Sequence, residues 1–459
     1  MYTIDFQSPI HIHFIGIGGI SMSGLAEILL KEGFTISGSD AKESPLTKHL
    51  EEKGAQLFYG QRASNIIDGI DLVVYTAAIH PDNPEYACVV EKGLPMMSRA
   101  DLLGQMMKNY SMPIAVSGTH GKTTTTSMAS QMLLEGGFDP TITVGGILPS
   151  IGGNLRLGHS GTFITEACEY TNSFLSFFPK ISIILNMDAD HLDFFKDIDD
   201  IRHSFRLFAE KLPADGTLII NADTPCWEDI ARDLPCQVIT YGLEHPADYT
   251  AADIAWDPQG YPTFTCLAYG KSLGSFSLKV PGLHNVSNAL SVIALGQKLG
   301  MDTDAIRSGI LDFTGTDRRF QYKGKVGDVT VIDDYAHHPT EIRATLTSAK
   351  NYPHKTIWCV FQPHTYTRTK ALMDDFARAL SLADHVVLAD IYAARETDTL
   401  GISSGDLMER IRKLGTPCEY FPTFDEIENY LLEHCEPGDL LITMGAGDVF
   451  KIGEKLLGI

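Results

Sequence analysis

The chain has no excess of positive charge. Against 58 Asp and Glu it carries 36 Lys and Arg, a formal net charge of −22 over 459 residues. That balance excludes a general binder of nucleic acid or of anionic membrane, although a local cluster of cations can still hold an anionic ligand. Long apolar runs are missing too; none approaches the roughly 18 residues that cross a bilayer, so no membrane insertion is expected. No basic stretch followed by an apolar core opens the N-terminus, MYTIDFQSPIH, and no secretory leader is expected. The eight cysteines are scattered without a CxxC pair, which predicts reduced thiols in a cytoplasmic protein. Tandem repeats and low-complexity segments do not stand out. What remains is a globular composition, 44% apolar and 20% charged, at a length that calls for two to four domains.

Two nucleotide motifs are present in incomplete form. Residues 10–15, IHIHFI, run into Gly16-Ile17-Gly18-Gly19-Ile20-Ser21, and Met22, Leu25, Ala26 and Leu29 then line one helical face. Ser21 stands where a dinucleotide fingerprint has its third glycine. A second strand, Phe34 to Gly38, ends at Ser39-Asp40, where a carboxylate can hold a ribose hydroxyl. A further strand, 71–76, ends at Ala77-Ala78. This unit predicts a nucleotide-diphosphate site using Gly18, Ser39, Asp40 and Ala78. An NAD-dependent oxidoreductase is the competing reading of the same glycines.

The second motif is PIAVSGTHGKTTTTSM, residues 113–128, around which the chain is organised. Val116 occupies the place of the first glycine in G-x-x-x-x-G-K-[ST]. A buried strand, the loop Gly118-Thr119-His120-Gly121 and a helix starting at Lys122-Thr123-Thr124 nevertheless form a phosphate loop. The two glycines let backbone amides approach an anion, and the helix N-terminus faces it. Lys122 supplies a point charge for the β- and γ-phosphates of ATP, and Thr123 a hydroxyl for Mg2+. Downstream, Glu166 and the segment 186–193, NMDADHLD, place carboxylates and His191 at strand ends, predicting metal ligation by Thr123, Glu166 and His191. His284 and Asn288, four apart, share a helical face. The leftover catalytic function is then a nucleotide switch or an ATP-dependent enzyme.

The expected fold is α/β in three domains. A Rossmann-like domain over 1–108 takes a nucleotide diphosphate, a central P-loop ATPase-like α/β domain over 109–318 binds ATP, and a C-terminal Rossmann-like domain covers 319–459. The third follows the charged, glycine-containing connector 313–320 and shows four strand-like runs, each with polar or glycine residues at its carboxyl end.

Nine segments resemble the Mur ligases, in order and over nearly the whole length: GIGGISMSGLA (16–26), SGTHGKTTTT (117–126), EACEY (166–170), NMDADHLD (186–193), PGLHNVSNA (281–289), GTDRRFQ (315–321), DDYAHHP (333–339), FQPHTYTRT (361–369) and MGAGD (444–448). The resemblance implies ATP-dependent amide formation through an acyl phosphate, in peptidoglycan precursor synthesis. It looks most like the branch that adds L-alanine to UDP-N-acetylmuramate. Other branches carry a carbamylated Lys where this chain has His203-Ser204-Phe205, with Lys196 nearer the motif. A branch that ligates a preformed murein peptide to the same sugar is the alternative. By resemblance, the catalytic set is Lys122, His191, Arg319 and His337. ATP contacts are Gly118, Thr119, His120, Gly121, Lys122, Thr123, Thr124, His284, Asn288, Arg319 and Asp334. Asp334 is a ribose contact, and His337 and Arg368 lie at the amino-acid end, where Arg368 pairs with the alanine carboxylate. Thr365 stands where some relatives have a second basic residue. A monomer or weak homodimer is expected.

Overall fold

The computed structural model describes every residue except Met1, Ala77, Ala78, Asp193, Arg395, Thr397, Asp398 and Thr399. Its strands form three sheets. The first is all parallel, in the spatial order Gln56–Tyr59, Thr35–Asp40, His11–Ile15, Leu72–Tyr75, Met96–Ser98. Its central strand runs straight into the turn at Gly16, whose N–H donates to the carbonyl of Ser39 on the neighbouring strand at 2.9 Å.

The second sheet has ten strands. At its centre Met112–Ser117 lies between Ile181–Ile184 and Thr162–Ala167, all parallel. Covered on both faces, these strands are nearly continuous apolar sequence rather than alternating. Thr217–Asn221 and Gln237–Gly242 extend the parallel part, and Tyr249–Trp256, Pro262–Ala268 and Lys271–Ser277 close that edge as an antiparallel meander. On the other edge Thr141–Leu148 turns back into Gly153–Arg156. The sequence suggests that this strand stops at Gly145-Gly146; it continues through them, because Glu166 on the adjacent strand accepts the Gly145 N–H at 2.5 Å.

The third sheet runs Gln321–Val326, Val329–Asp334, Leu440–Met444, Ile357–Phe361, His385–Leu388, Cys418–Tyr420. Four of the six match the apolar runs of the sequence. The other two are the edges, and they carry no apolar signature because one side of an edge strand meets solvent.

One continuous apolar core joins the first sheet to a face of the second, from Ile12 and Leu103 through Phe174 to Phe205 and Leu218. The third sheet has its own cores on its two faces. Contacts between the second and third domains are instead largely polar, among them Asp190 with Arg368 and His120 with Glu341. Among the described residues no helix is long and apolar enough to cross a membrane.

Candidate active site

Clefts open around the carboxyl ends of the central strands. The phosphate loop lies where they meet, so its geometry comes first. Gly118 has a φ of +141°, and a Cβ there would lie 2.9 Å from the Cβ of Leu185 and 3.1 Å from the Asn186 nitrogen. Glycine is therefore required by both backbone conformation and space. Asn186 pins the loop from the next strand: its Oδ1 accepts the His120 N–H at 2.8 Å and its Nδ2 donates to the His120 carbonyl at 3.0 Å. The helix Lys122–Glu135 starts after Gly121 with no side chain capping its first turn. Its amides are left for an anion, the arrangement of a phosphate site at a helix N-terminus.

Lys122 is folded onto its own loop. Its Nζ donates to the carbonyls of Gly118 and Thr119 and to Glu169 Oε2, the last at 3.0 Å. Burial works against the ammonium, but Glu169, whose side chain is only 2% exposed, and the neighbouring groups raise its pKa, so it stays charged. Thr123 Oγ1 donates to Glu166 Oε2 at 3.0 Å, so two of the three expected metal ligands are already together. His191 faces Glu169 and Asp190, each at 3.9 Å, and its ring stacks on Tyr170. Among the described residues no three His, Cys, Asp or Glu side chains gather into a metal cage. An open pair of one hydroxyl and one carboxylate suits Mg2+, which keeps most of its waters and takes phosphate oxygens.

The first cleft, 210 Å³, lies between the second and third domains. His120, Gly121, Thr124, His284 and Asn288 line it from one side, and Arg319, Asp334 and Glu341 from the other. Asn288 sits against the loop, with Oδ1 3.3 Å from the position of a Cβ on Gly121. Asp334 accepts the Phe320 and Ala336 N–H groups, and burial pushes its carboxyl up to about 6. Across the cleft His120 meets Asp188 at 3.2 Å and Glu341 at 3.4 Å. Burial disfavours the imidazolium, yet the two carboxylates raise its pKa to about 9. Glu341 also faces His337 at 3.3 Å and Arg319 at 3.8 Å, and these groups together with His120 hold its carboxyl well below the usual range in spite of burial.

A second cleft, 570 Å³, is lined by Asp190, His191, Tyr335, His337, His364 and Arg368 among others. Arg368 donates to Asp190 Oδ1 at 3.2 Å. Burial lowers the pKa of His337, and with Nδ1 donating to the Tyr335 carbonyl at 3.0 Å its Nε2 is left as the basic nitrogen.

The third cleft, 150 Å³, lies between the first and second domains and reaches from Ile20 and Ser21 to Glu166 and Cys168. Near it the Gly18 N–H donates to Asp40 Oδ2 at 2.8 Å. Ser39 is fully buried and gives its hydroxyl to Glu85 Oε2 at 2.5 Å, so in this structure its side chain supports the strand from inside. The expected contact at Ala78 lies outside the described residues.

Sequence reasoning passed over Glu169, Asn186 and Glu341. The first two lie inside segments already singled out, Glu169 three residues after Glu166 and Asn186 five before His191. Glu341 reads as an ordinary first-turn acid of the helix Pro339–Ala349, and only the packing of two domains turns it towards His120.

Comparison with known proteins bears on this geometry. Sequence models of the Mur ligase family match in three consecutive blocks: its catalytic domain over residues 11–111, its middle domain over 116–296 and its glutamate ligase domain over 318–447. A UDP-N-acetylmuramate–L-alanine ligase of Lachnospira eligens is 62% identical over 459 residues, covering 100% of both chains. One of the same name from Agathobacter rectalis is 62% identical over 457 residues, again covering 100% of each. Among solved structures, a UDP-N-acetylmuramate–alanine ligase of Thermotoga maritima superposes with a TM-score of 0.81 at 30% identity, covering 98% of each chain. A murein peptide ligase of Psychrobacter arcticus gives 0.71 at 27% identity and the same coverage.

Proposed function

This chain belongs to the Mur ligase family, and we propose that it joins L-alanine to the lactyl carboxylate of UDP-N-acetylmuramate, converting ATP to ADP and phosphate. The observation that carries this reading is end-to-end identity of 62% with ligases of that name; the phosphate loop and the cleft beside it, where the residues expected on the ATP side stand together, support it. The murein peptide ligase is the second reading, favoured only by its lower structural likeness. An NAD-dependent oxidoreductase has no support from the family match and leaves Lys122 without a part.

A carboxylate is a poor electrophile. One of its oxygens first attacks the γ-phosphorus; the bond from phosphorus to the bridging oxygen breaks, and ADP leaves. Loop amides and Lys122 neutralise the charge on the transferring group, which needs alignment and electrostatics more than covalent help. Thr123 and Glu166, already in contact, would hold Mg2+, which adds Lewis-acid neutralisation of the phosphate oxygens. His191 lies on the same side of the loop, and we assign it to the carboxylate end. The amine of alanine then attacks the acyl carbon, phosphate departs, and the amine loses a proton. Arg368 takes the alanine carboxylate in place of Asp190. The neutral Nε2 of His337, in the same cleft, accepts the proton. Arg319 reaches the phosphates from the third domain, and Asp334 takes a ribose hydroxyl. Gly18 and Asp40 serve the sugar nucleotide. We place the protein in the cytoplasm, where both nucleotides occur and where eight unpaired cysteines stay reduced.

Phosphate release from ATP with UDP-N-acetylmuramate, screened across L-amino acids and L-Ala-γ-D-Glu-diaminopimelate, tests the reading. Release dependent on free L-alanine is expected; release only with the peptide overturns it.

A further inference from the structure

Arg99 opens the helix Arg99–Met107 of the first domain and turns into the 150 Å³ cleft shared with the second. It is partly buried, yet its guanidinium makes no hydrogen bond or ion pair among the described residues. In a chain with 58 carboxylates such a cation is out of place as a structural element, because desolvation without a partner works against its charge. The carboxylates around it are engaged elsewhere. Glu166, in the same cleft, accepts from Thr123 and Gly145, and Asp101 from Ser98 and Ser176. Cys168 is close, but burial pushes its thiol up, so it is no thiolate counter-ion.

The lining of the cleft points to the missing anion. Arg99 shares its 150 Å³ with Glu166, which accepts from Thr123 at the start of the phosphate-loop helix. Arg99 therefore stands in the same cleft as the pair proposed to hold Mg2+, where the sugar nucleotide must present its acid to ATP.

We propose that Arg99 binds the lactyl carboxylate of the sugar nucleotide, holding one oxygen while the other faces the γ-phosphate. This rests on the substrate reading given above. A guanidinium arriving from the first domain also gives the site a means of selecting UDP-sugars that carry an acid, since the same sugar without one leaves the cation unpaired.

Calorimetric titration of wild type, Arg99→Met and Arg99→Lys with UDP-N-acetylmuramate, UDP-N-acetylglucosamine and ATP tests this. Wild type is expected to prefer the muramate. Arg99→Met should lose tenfold or more of the affinity for the muramate, with ATP and UDP-N-acetylglucosamine unchanged, and Arg99→Lys should fall between. Unchanged ATP binding also shows that the variants are folded. Equal losses for both sugars, or no loss for either, overturn the role of Arg99 while the substrate reading stands. A wild type that does not distinguish the two sugars removes both.

Discussion

Lys122 and Glu169 form a buried pair at the proposed centre of the reaction, which gives substitution of the lysine two consequences. Lys122→Ala removes the ammonium proposed to meet the transferring phosphate, and turnover should fall a hundredfold or more, about 3 kcal/mol. It also leaves Glu169 buried without its cation, so a loss of stability of roughly 3 kcal/mol should accompany it. Adding Glu169→Gln should restore the melting temperature but not turnover; recovery of both would contradict the phosphate-loop role. His120 makes a pH-dependent contribution of the opposite kind. Its folded pKa of about 9 lies above the unfolded value of 6.5. The stabilisation is therefore complete below pH 6.5 and is lost as pH rises through 9. Thermal unfolding of wild type against His120→Gln should show a difference that shrinks across that window, and a constant difference would contradict it.

At the scale of elements, the helix Arg99–Met107 is what attaches the first domain. Gly104 faces the chain at Ser176 so closely that a Cβ there would lie 1.9 Å from the Ser176 carbonyl oxygen. Gly104→Ala must push the helix off the central domain, and a loss of about 1–3 kcal/mol in denaturant unfolding is expected. The glycine turn and the strand end beside it act as another unit. Because Asp40 holds the Gly18 N–H, Asp40→Ala should weaken binding of the sugar nucleotide at least several-fold and leave ATP binding intact. Separate titrations of the two nucleotides check this, and equal losses would contradict the division of labour between domains.

For the whole molecule, the contrast between the two interfaces decides which part moves. An apolar core runs unbroken from the first domain into the second, whereas the third is held to the second by polar pairs and by the connector. That connector is conformationally unusual: Arg318 and Phe320 have φ of +60° and +48°, and Gly315 +107°. A polar interface and a strained connector make the third domain the one expected to swing. In this structure it is already against the second, with Asp190 standing on Arg368 where the alanine carboxylate is expected. Asp190→Ala should enlarge the radius of gyration of the ligand-free protein in small-angle scattering, and a non-hydrolysable ATP analogue with the sugar nucleotide should reverse the change. An identical radius in wild type and variant would show that this pair does not hold the domain.

Much of this was legible in one dimension. A phosphate loop is local: strand, Gly118, Gly121, Lys122 and Thr123 lie within a few residues, and backbone geometry alone aims them at an anion. Central parallel strands announce themselves because both faces are buried, and the nine matching segments point to the family before any contact is known. Other features could not be read. Edge strands such as Gln321–Val326 lack an apolar pattern, because solvent covers one side. Ser39 looks like a ligand contact at a strand end, but its hydroxyl is turned inward by Glu85, 46 residues away. Sequence by itself determined the chemistry available, since residue types and short spacings set which anions, metals and protons can be handled. Tertiary structure alone decided the partners: Glu341 on His120, Asp190 on Arg368, and Arg99 without a partner among the described residues. The physical reason is that a charge takes its meaning from what surrounds it, and those surroundings come from other domains.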